Sequence, residues 1–229
     1  MKNLLRLLEN LLVKFQNNKI LNYLIEDKIF NVIDVGGHHG EFYEAFIRKN
    51  INFDSYLIFE PFPESFEVID NIKDPRIKKH NIGIGEEKSS LTLNVSKWET
   101  SNTFSNVNKN SFKNKIKKLI YRVDSYSSEL EVEIDTLDNI CINMDKTFDV
   151  LKVDVEGFEL SVLKGAKRLF QSQLIKYVVI EFQKEGSYLG YSPNDIEQYL
   201  DEMGFKLMKT FKFLGLGIED RIYKLNSAQ

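Results

Sequence analysis

Five short runs constrain this fold more than any other feature. IFNVIDV (29–35), SYLIFE (55–60), RIKKHNIGI (76–84), FDVLKVDV (148–155) and YVVIEF (177–182) read as strands. Helical patterns intervene: EFYEAFIRKN (41–50), ESFEVIDNI (64–72) and FELSVLKGAKRLF (158–170). A last helix opens at Ser192-Pro193, where serine caps and proline fits the first turn, and it stops at Gly204. Buried strands alternating with helices require a mostly parallel sheet covered on both faces. Such sheets bind ligands at the carboxyl ends of their strands. Asp34, Glu60, Ile82, Asp154 and Glu181 all fall at or near strand ends.

Elsewhere the rhythm changes. SLTLNV (90–95) and ELEVEI (129–134) alternate apolar and polar residues, as half-exposed strands do. FKLMKTF and RIYKL read as a closing antiparallel pair. Between the alternating strands lies a polar stretch, 96–128, and loops of that length serve as lids or binding segments or stay disordered. Its run Lys109, Lys113, Lys115, Lys117, Lys118 and Arg122 contains no acid, in a chain of net charge −3. A solvated helical face explains such a run. A lid that attracts an anionic acceptor also explains it, with Trp98 and Phe104 as stacking surfaces, Asn102 as a hydrogen-bonding group and Lys115 as a charge.

The stretch NVIDVGGHHGEF (31–42) joins a strand to a helix through Gly36, Gly37 and Gly40. The dinucleotide fingerprint is G-x-G-x-x-G, and this spacing departs from it. Asp34 is a second objection, because a pyrophosphate over the turn would meet a carboxylate. A cationic ligand suits the turn better. S-adenosylmethionine carries an ammonium, a sulfonium and a ribose with two adjacent hydroxyls, and no phosphate. Glu60, 24 residues after Gly36 and followed by Pro61, is spaced to accept those hydroxyls. Gly36 and Gly37 let the backbone approach the methionine part, and the segment Ile82–Gly83 is expected against the adenine.

IDVGGHHGEF, IFEP, HNIGIG, VEIDTLDNI, DVLKVDVEGFELSVLKGA and VVIEF, in that order, resemble the FkbM family of S-adenosylmethionine-dependent methyltransferases. The resemblance spans roughly residues 30–210, and KVDVEGFELSVLKGA (152–166) is its most specific part. It implies a class I methyltransferase fold: α/β, Rossmann-like, with a seven-stranded mostly parallel sheet of order 3-2-1-4-5-7-6. It implies O-methylation of sugars or of other small-molecule hydroxyls. It also sets Asp154 and Glu156 at the border of the cofactor and acceptor pockets. The family loop reads close to D-x-G-A-N-x-G; here Gly37 and His38 stand at the alanine and asparagine positions.

Methyl transfer to oxygen needs alignment and a proton acceptor, and a positioned base contributes about 10²–10⁴-fold. Asp154 is the first candidate base, Glu156 the second and Glu181 the third. The structural alternative pairs Lys152 with one acid to hold the strand end. Clustered acids also suit Mg²⁺, which the sequence leaves undecided. A histidine zinc site is disfavoured, since His38 and His39 are adjacent and only His80 remains. Cys141 follows an apolar run and reads as core. Two rivals stand beside the methyltransferase reading. One is an NAD-dependent oxidoreductase of epimerase type, opposed by Asp34 and the glycine spacing. The other is a non-catalytic nucleoside-binding module.

Residues 1–29 form a separate amphipathic segment ahead of a domain spanning 30–229. Leu4, Leu5, Leu8, Leu11, Leu12 and Phe15 fall at helical spacing, so the segment is expected to pack on the domain or on a second subunit, giving a homodimer. Membrane-surface contact is the lesser reading, because acidic and amide residues share the polar face. No run suits a transmembrane helix, and the balanced charge gives no reason to expect nucleic-acid binding. One cysteine in 229 residues fits a reducing cytoplasm. The expected partner is a small-molecule acceptor, an anionic sugar or sugar nucleotide.

Overall fold

A computed structural model describes residues 2–24, 31–96, 102–105, 126–183, 186–190, 192–212 and 218–226. Its strands are β1 (Asn31–Val35), β2 (Ser55–Phe59), β3 (Ile77–His80), β4 (Gly83–Ile84), β5 (Ser89–Ser96), β6 (Tyr126–Asp135), β7 (Phe148–Val153), β8 (Ile175–Phe182), β9 (Phe205–Lys212) and β10 (Glu219–Leu225). Its helices are α1 (Lys2–Leu24), α2 (Glu41–Arg48), α3 (Pro63–Asp70), α4 (Leu137–Cys141), α5 (Glu159–Lys164), α6 (Lys167–Gln171) and α7 (Pro193–Glu202).

Seven strands form one sheet in the order β3-β2-β1-β7-β8-β10-β9. Six run in one direction, and β10 runs antiparallel to its neighbours β8 and β9. Counted within this sheet alone, the order is 3-2-1-4-5-7-6, the one the resemblance implies. The order reverses between β1 and β7, so the carboxyl ends of these two strands flank the crevice where a ligand binds.

Alternation along the strands gives each face its own core. Ile33, Val35, Leu57, Phe59, Leu151 and Val153 meet Val162, Leu163, Leu169, Phe170, Ile196 and Leu200 of α5, α6 and α7. On the other face Val32, Ile58, Val150, Val179 and Ile222 meet Phe42 and Phe46 of α2 and Ile20, Leu21 and Leu24 of α1. Asp34 follows Val32 on this second face, and Lys152 follows Val150. The apolar layer therefore turns polar at the carboxyl end of the sheet.

The structure corrects two boundaries. The expected strand 76–84 is two strands. After His80 the chain leaves the main sheet, and β4 pairs with β6 in a second sheet of order β4-β6-β5. The expected helix 158–170 is likewise α5 and α6, parted at Gly165. A Cβ at Gly165 would lie 1.9 Å from the Gly85 carbonyl oxygen, so the close pass of these two backbones requires glycine there. Asp138 restarts the chain as α6 by accepting the Arg168 and Leu169 N–H groups at 2.8 and 3.0 Å. Cys141 is core as expected, and burial pushes its thiol up to about 12.

Candidate active site

The glycine turn is built by backbone approach. Gly36 and Gly37 both donate to the Phe59 carbonyl at 3.0 Å, which ties β1's end to β2's end. Gly36 has φ +79°, and a Cβ there would lie 1.9 Å from the Asp154 carbonyl oxygen. Gly40, at φ +85°, is the N-cap of α2. His38 also adopts a left-handed backbone, with φ 45°. Its ring hydrogen-bonds Glu41 at 2.8 Å and stacks on His39 with centroids 3.8 Å apart, while Glu41 also accepts the His39 N–H. Possible ligand atoms of His38, His39 and Glu41 all lie within 4.8 Å of one another, a three-donor group that the two histidines alone did not suggest. The helix N-terminus behind them disfavours a cation, and the hydrogen bonds already occupy Glu41.

Glu60 closes the turn. It follows β2, is 7% exposed, and accepts the His38 N–H at Oε2 and the Phe62 N–H at Oε1, both at 2.9 Å. Burial pushes its carboxyl up to about 7, against the pull of those N–H groups and of His38. Each oxygen keeps a lone pair for a further donor. Asn81 steadies this corner by donating to the Glu60 and Pro61 carbonyls at 2.8 and 3.2 Å.

Asp34 is not on the turn's surface. It is wholly buried, takes the Tyr56 hydroxyl at 2.8 Å and lies 3.7 Å from the Lys152 ammonium. Burial raises its pKa, and Lys152 and Tyr56 draw it back. Lys152, which it shares with Asp154, offsets its charge only in part, so the objection to a pyrophosphate is weakened rather than removed. The glycine spacing remains. At Gly83 the space a Cβ would take is filled by Ile134 and Phe104, and Ile82 packs on the core.

Lys152 joins the strand ends. It donates to Asp154 at 3.1 Å while facing Asp34, so the expected pairing with one acid is a pairing with two. Burial alone would lower its pKa; Asp154 and Asp34 outweigh this and raise it. Asp220 on β10 lies behind them, pushed to about 7 by burial and then by Asp154, with Gln16 of α1 as a hydrogen-bond partner. Asp220 pairs across the sheet with Glu181, which accepts the Gln183 amide. Neither Asp220 nor Gln16 stood out in the sequence, because an isolated acid in an antiparallel strand has no local signature.

Glu156 leaves the sheet on a loop with φ 51° and accepts the Tyr188 hydroxyl. Gly157 follows at φ +99°, and a Cβ there would meet the Tyr188 ring at 2.5 Å. Thr103 donates to the Glu156 carbonyl at 2.6 Å and Ser105 to the Gly157 carbonyl at 2.7 Å. Glu159 turns back to accept the Gly157 N–H at 2.9 Å, and burial pushes its carboxyl up to about 8. Two expected acceptor-binding groups in this region make local structural contacts. Asn102 accepts the Ser96 N–H at 2.8 Å, and Phe104 packs on Phe158 with centroids 5.4 Å apart. Trp98, Lys115 and the basic run 109–122 lie outside the described residues. Tyr188, Thr103 and Ser105 were missed because nothing near them in sequence announces the loop they hold.

A family model described as the methyltransferase FkbM domain matches residues 34–207. A curated relative, Methyltransferase 1 of Beauveria bassiana, is 26% identical over 145 residues, covering 58% of this chain and 57% of that protein. The chain thus spans just over half the length of that relative. Among solved structures, methyltransferase FkbM of Methylobacillus flagellatus superposes with a TM-score of 0.55 at 15% identity, over 86% of this chain and 44% of that one. Magnesium protoporphyrin IX methyltransferase of Synechocystis, solved with bound S-adenosylmethionine, gives 0.50 at 9% identity, over 93% and 79%. These two likenesses establish the class I methyltransferase architecture. With the motif order, the strand order and a family match over most of its length in agreement, this chain belongs to the FkbM methyltransferase family.

Proposed function

We propose that the chain binds S-adenosylmethionine over Gly36–Gly40 and methylates a hydroxyl of a small molecule, a sugar or sugar-containing precursor. One observation carries the cofactor reading. A buried carboxylate, Glu60, is fixed by two backbone N–H groups beside the glycine turn, with lone pairs left for two hydroxyl donors. Adjacent ribose hydroxyls satisfy that geometry. The bound S-adenosylmethionine of the Synechocystis relative supports it by analogy of fold.

When bound, the cofactor supplies a methyl group activated on a sulfonium. The chain then has to orient an acceptor oxygen and take its proton. Glu156 is the better base. Asp154 is engaged by the Lys152 ammonium at 3.1 Å beside the strand end, whereas Glu156 stands on the loop that leaves the sheet, where it accepts the Tyr188 hydroxyl. Glu156 would take the proton of the acceptor hydroxyl as that oxygen gains the methyl group the bound cofactor would supply. Glu181 is occupied by Gln183 and ranks third. Mg²⁺ would draw on Asp154 and Glu156. The Lys152 ammonium opposes a divalent cation there, so no step is routed through one.

Calorimetry with S-adenosylhomocysteine and NAD tests the cofactor, and transfer of labelled methyl to a panel of sugars, sugar nucleotides and phenols tests the reaction. Binding of S-adenosylhomocysteine and transfer to a sugar hydroxyl are expected. Binding of NAD alone overturns the reading in favour of an oxidoreductase. Cofactor binding with no transfer to any hydroxyl favours another acceptor atom or a binding module.

A further inference from the structure

The helix α1 carries two apolar faces. Near its C-terminus Ile20, Leu21 and Leu24 are buried against α2 and the sheet, and Gln16 anchors the same side by donating to the Phe211 carbonyl at 3.1 Å. Half a turn away, Leu11, Leu12 and Phe15 are 53%, 46% and 58% exposed. At about 100° per residue, Leu11 and Phe15 point opposite to Ile20 and Leu24. Packing on the domain therefore uses one face and leaves the leucine-rich one outward. In the sequence, Leu4, Leu5 and Leu8 fall at the same helical spacing as Leu11, Leu12 and Phe15.

We propose that this outward face of α1 rests on an anionic lipid surface, as a helix lying in the membrane interface. Charge points to this occupant. The helix holds Lys2, Arg6, Lys14 and Lys19 against one acid, Glu9, in a chain whose net charge is −3. The element that carries the exposed leucines is thus net basic, opposite in sign to the chain as a whole. Lys19 sits 4.3 Å over the Phe15 ring, with its charge beside the apolar edge. Interfacial helices combine these two features: apolar side chains buried in the acyl boundary and lysines or arginines among the headgroups. The breadth of the face points the same way. Leu11, Leu12 and Phe15 alone span about 100° of the helix, wider than the narrow seam of a two-stranded coiled coil. Among the described residues no helix is long and apolar enough to cross a membrane, so the contact is adsorption to one surface. Adsorption through α1 requires nothing of the methyl-transfer site.

The test is co-sedimentation of the full chain with vesicles of phosphatidylcholine alone and of phosphatidylcholine mixed with phosphatidylglycerol. Binding at least about tenfold stronger to the mixed vesicles is expected, weakening as salt rises. The double variant Leu11→Ser, Phe15→Ser should lose this binding, and Lys14→Glu should weaken it several-fold. Both should keep wild-type melting and S-adenosylhomocysteine affinity, since these side chains are exposed and apart from the turn. Equal binding to the two vesicle types, or none, overturns the proposal. So does a wild-type dimer in light scattering that the double variant converts to monomer without any vesicle binding, because the face then belongs to a second copy.

Discussion

The two sides of the crevice are built in different ways. On the cofactor side, the bonds that shape the turn link β1, β2 and the start of α2: Gly36, Gly37, His38, Gly40 and Glu60 reach partners no more than 23 residues away. On the acceptor side, the loop 154–159 is held by Thr103, Ser105 and Tyr188, separated from their partners by 53, 52 and 32 residues. The first side is a backbone device that needs glycine and one acid. The second is assembled by side chains from segments that can change independently. A common turn that binds a shared cofactor, beside an acceptor wall free to vary, is what such a division permits.

The largest effect should fall on the acceptor side and spare the cofactor side. Glu156→Gln keeps the shape and the tyrosine contact but removes the proton acceptor. With a true acceptor, kcat should drop by about 10²–10⁴-fold while S-adenosylhomocysteine affinity stays within about twofold. Tyr188→Phe should lower kcat by a smaller factor, because it removes the hydroxyl that holds the Glu156 carboxylate in place. Unchanged kcat in both variants moves the base to Asp154 or to solvent.

Next in size is the backbone of the turn. Gly36→Ala forces a Cβ to within 1.9 Å of the Asp154 carbonyl at a φ of +79°, and should cost about 3 kcal/mol or more in chemical denaturation. Gly190→Ala is the matched control. It has φ +74° and nothing within 4 Å of the added carbon, so only the left-handed penalty of about 1–2 kcal/mol applies. Similar losses at both positions would mean that the contact between the β1 and β7 ends gives way easily.

This division also decides what the sequence could reveal. Strand order, the glycine turn and the position of Glu60 beside it at the end of β2 were legible, because periodicity, spacing and the motif order act over short stretches. The placement of Asp34 was not. A carboxylate at a strand end looks like a ligand for the turn until Lys152 and Tyr56, on neighbouring strands, are seen to bury it. The local contacts of Asn102 and Phe104 were hidden for a similar reason. Polar and aromatic residues in a long loop suggest recognition, yet one closes a turn onto Ser96 and the other fills the space at Gly83. The second sheet was hidden because 76–84 reads as a single strand until Asn81 breaks it.

A smaller effect belongs to Glu60. Glu60→Gln replaces a charged acceptor of ribose hydroxyls with a neutral one and should weaken S-adenosylhomocysteine binding by about 1.5–3 kcal/mol. The carboxylate form receives the hydroxyls, and burial holds this carboxyl near 7, so wild-type affinity should rise as pH climbs from 6 to 8. Stability runs the other way. A folded-state pKa above the ordinary 4.5 gives a contribution complete below about 4.5 and lost as pH rises through about 7. Binding calorimetry and melting across this range should show the opposing slopes, and Glu60→Gln should flatten both. A binding curve flat in pH for the wild type would move the ribose away from Glu60.

The smallest effect tests whether the acceptor wall is held as loosely as its long-range bonds suggest. Ser105 contributes one hydroxyl to the Gly157 carbonyl at 2.7 Å, and it is half-buried, so water can replace the lost donor in Ser105→Ala. The expected loss of stability is about 0.5–1.5 kcal/mol, the net value of one such bond. The kinetic signature matters more than its size. Gly157 follows Glu156 directly, so a loosened carbonyl lets the base drift without touching the glycine turn. A severalfold fall in kcat with unchanged S-adenosylhomocysteine affinity would show that the two sides respond separately. If Ser105→Ala also weakened cofactor binding, strain would be passing from the 154–159 loop through the contact between Asp154 and Gly36, and the crevice would be one mechanical unit.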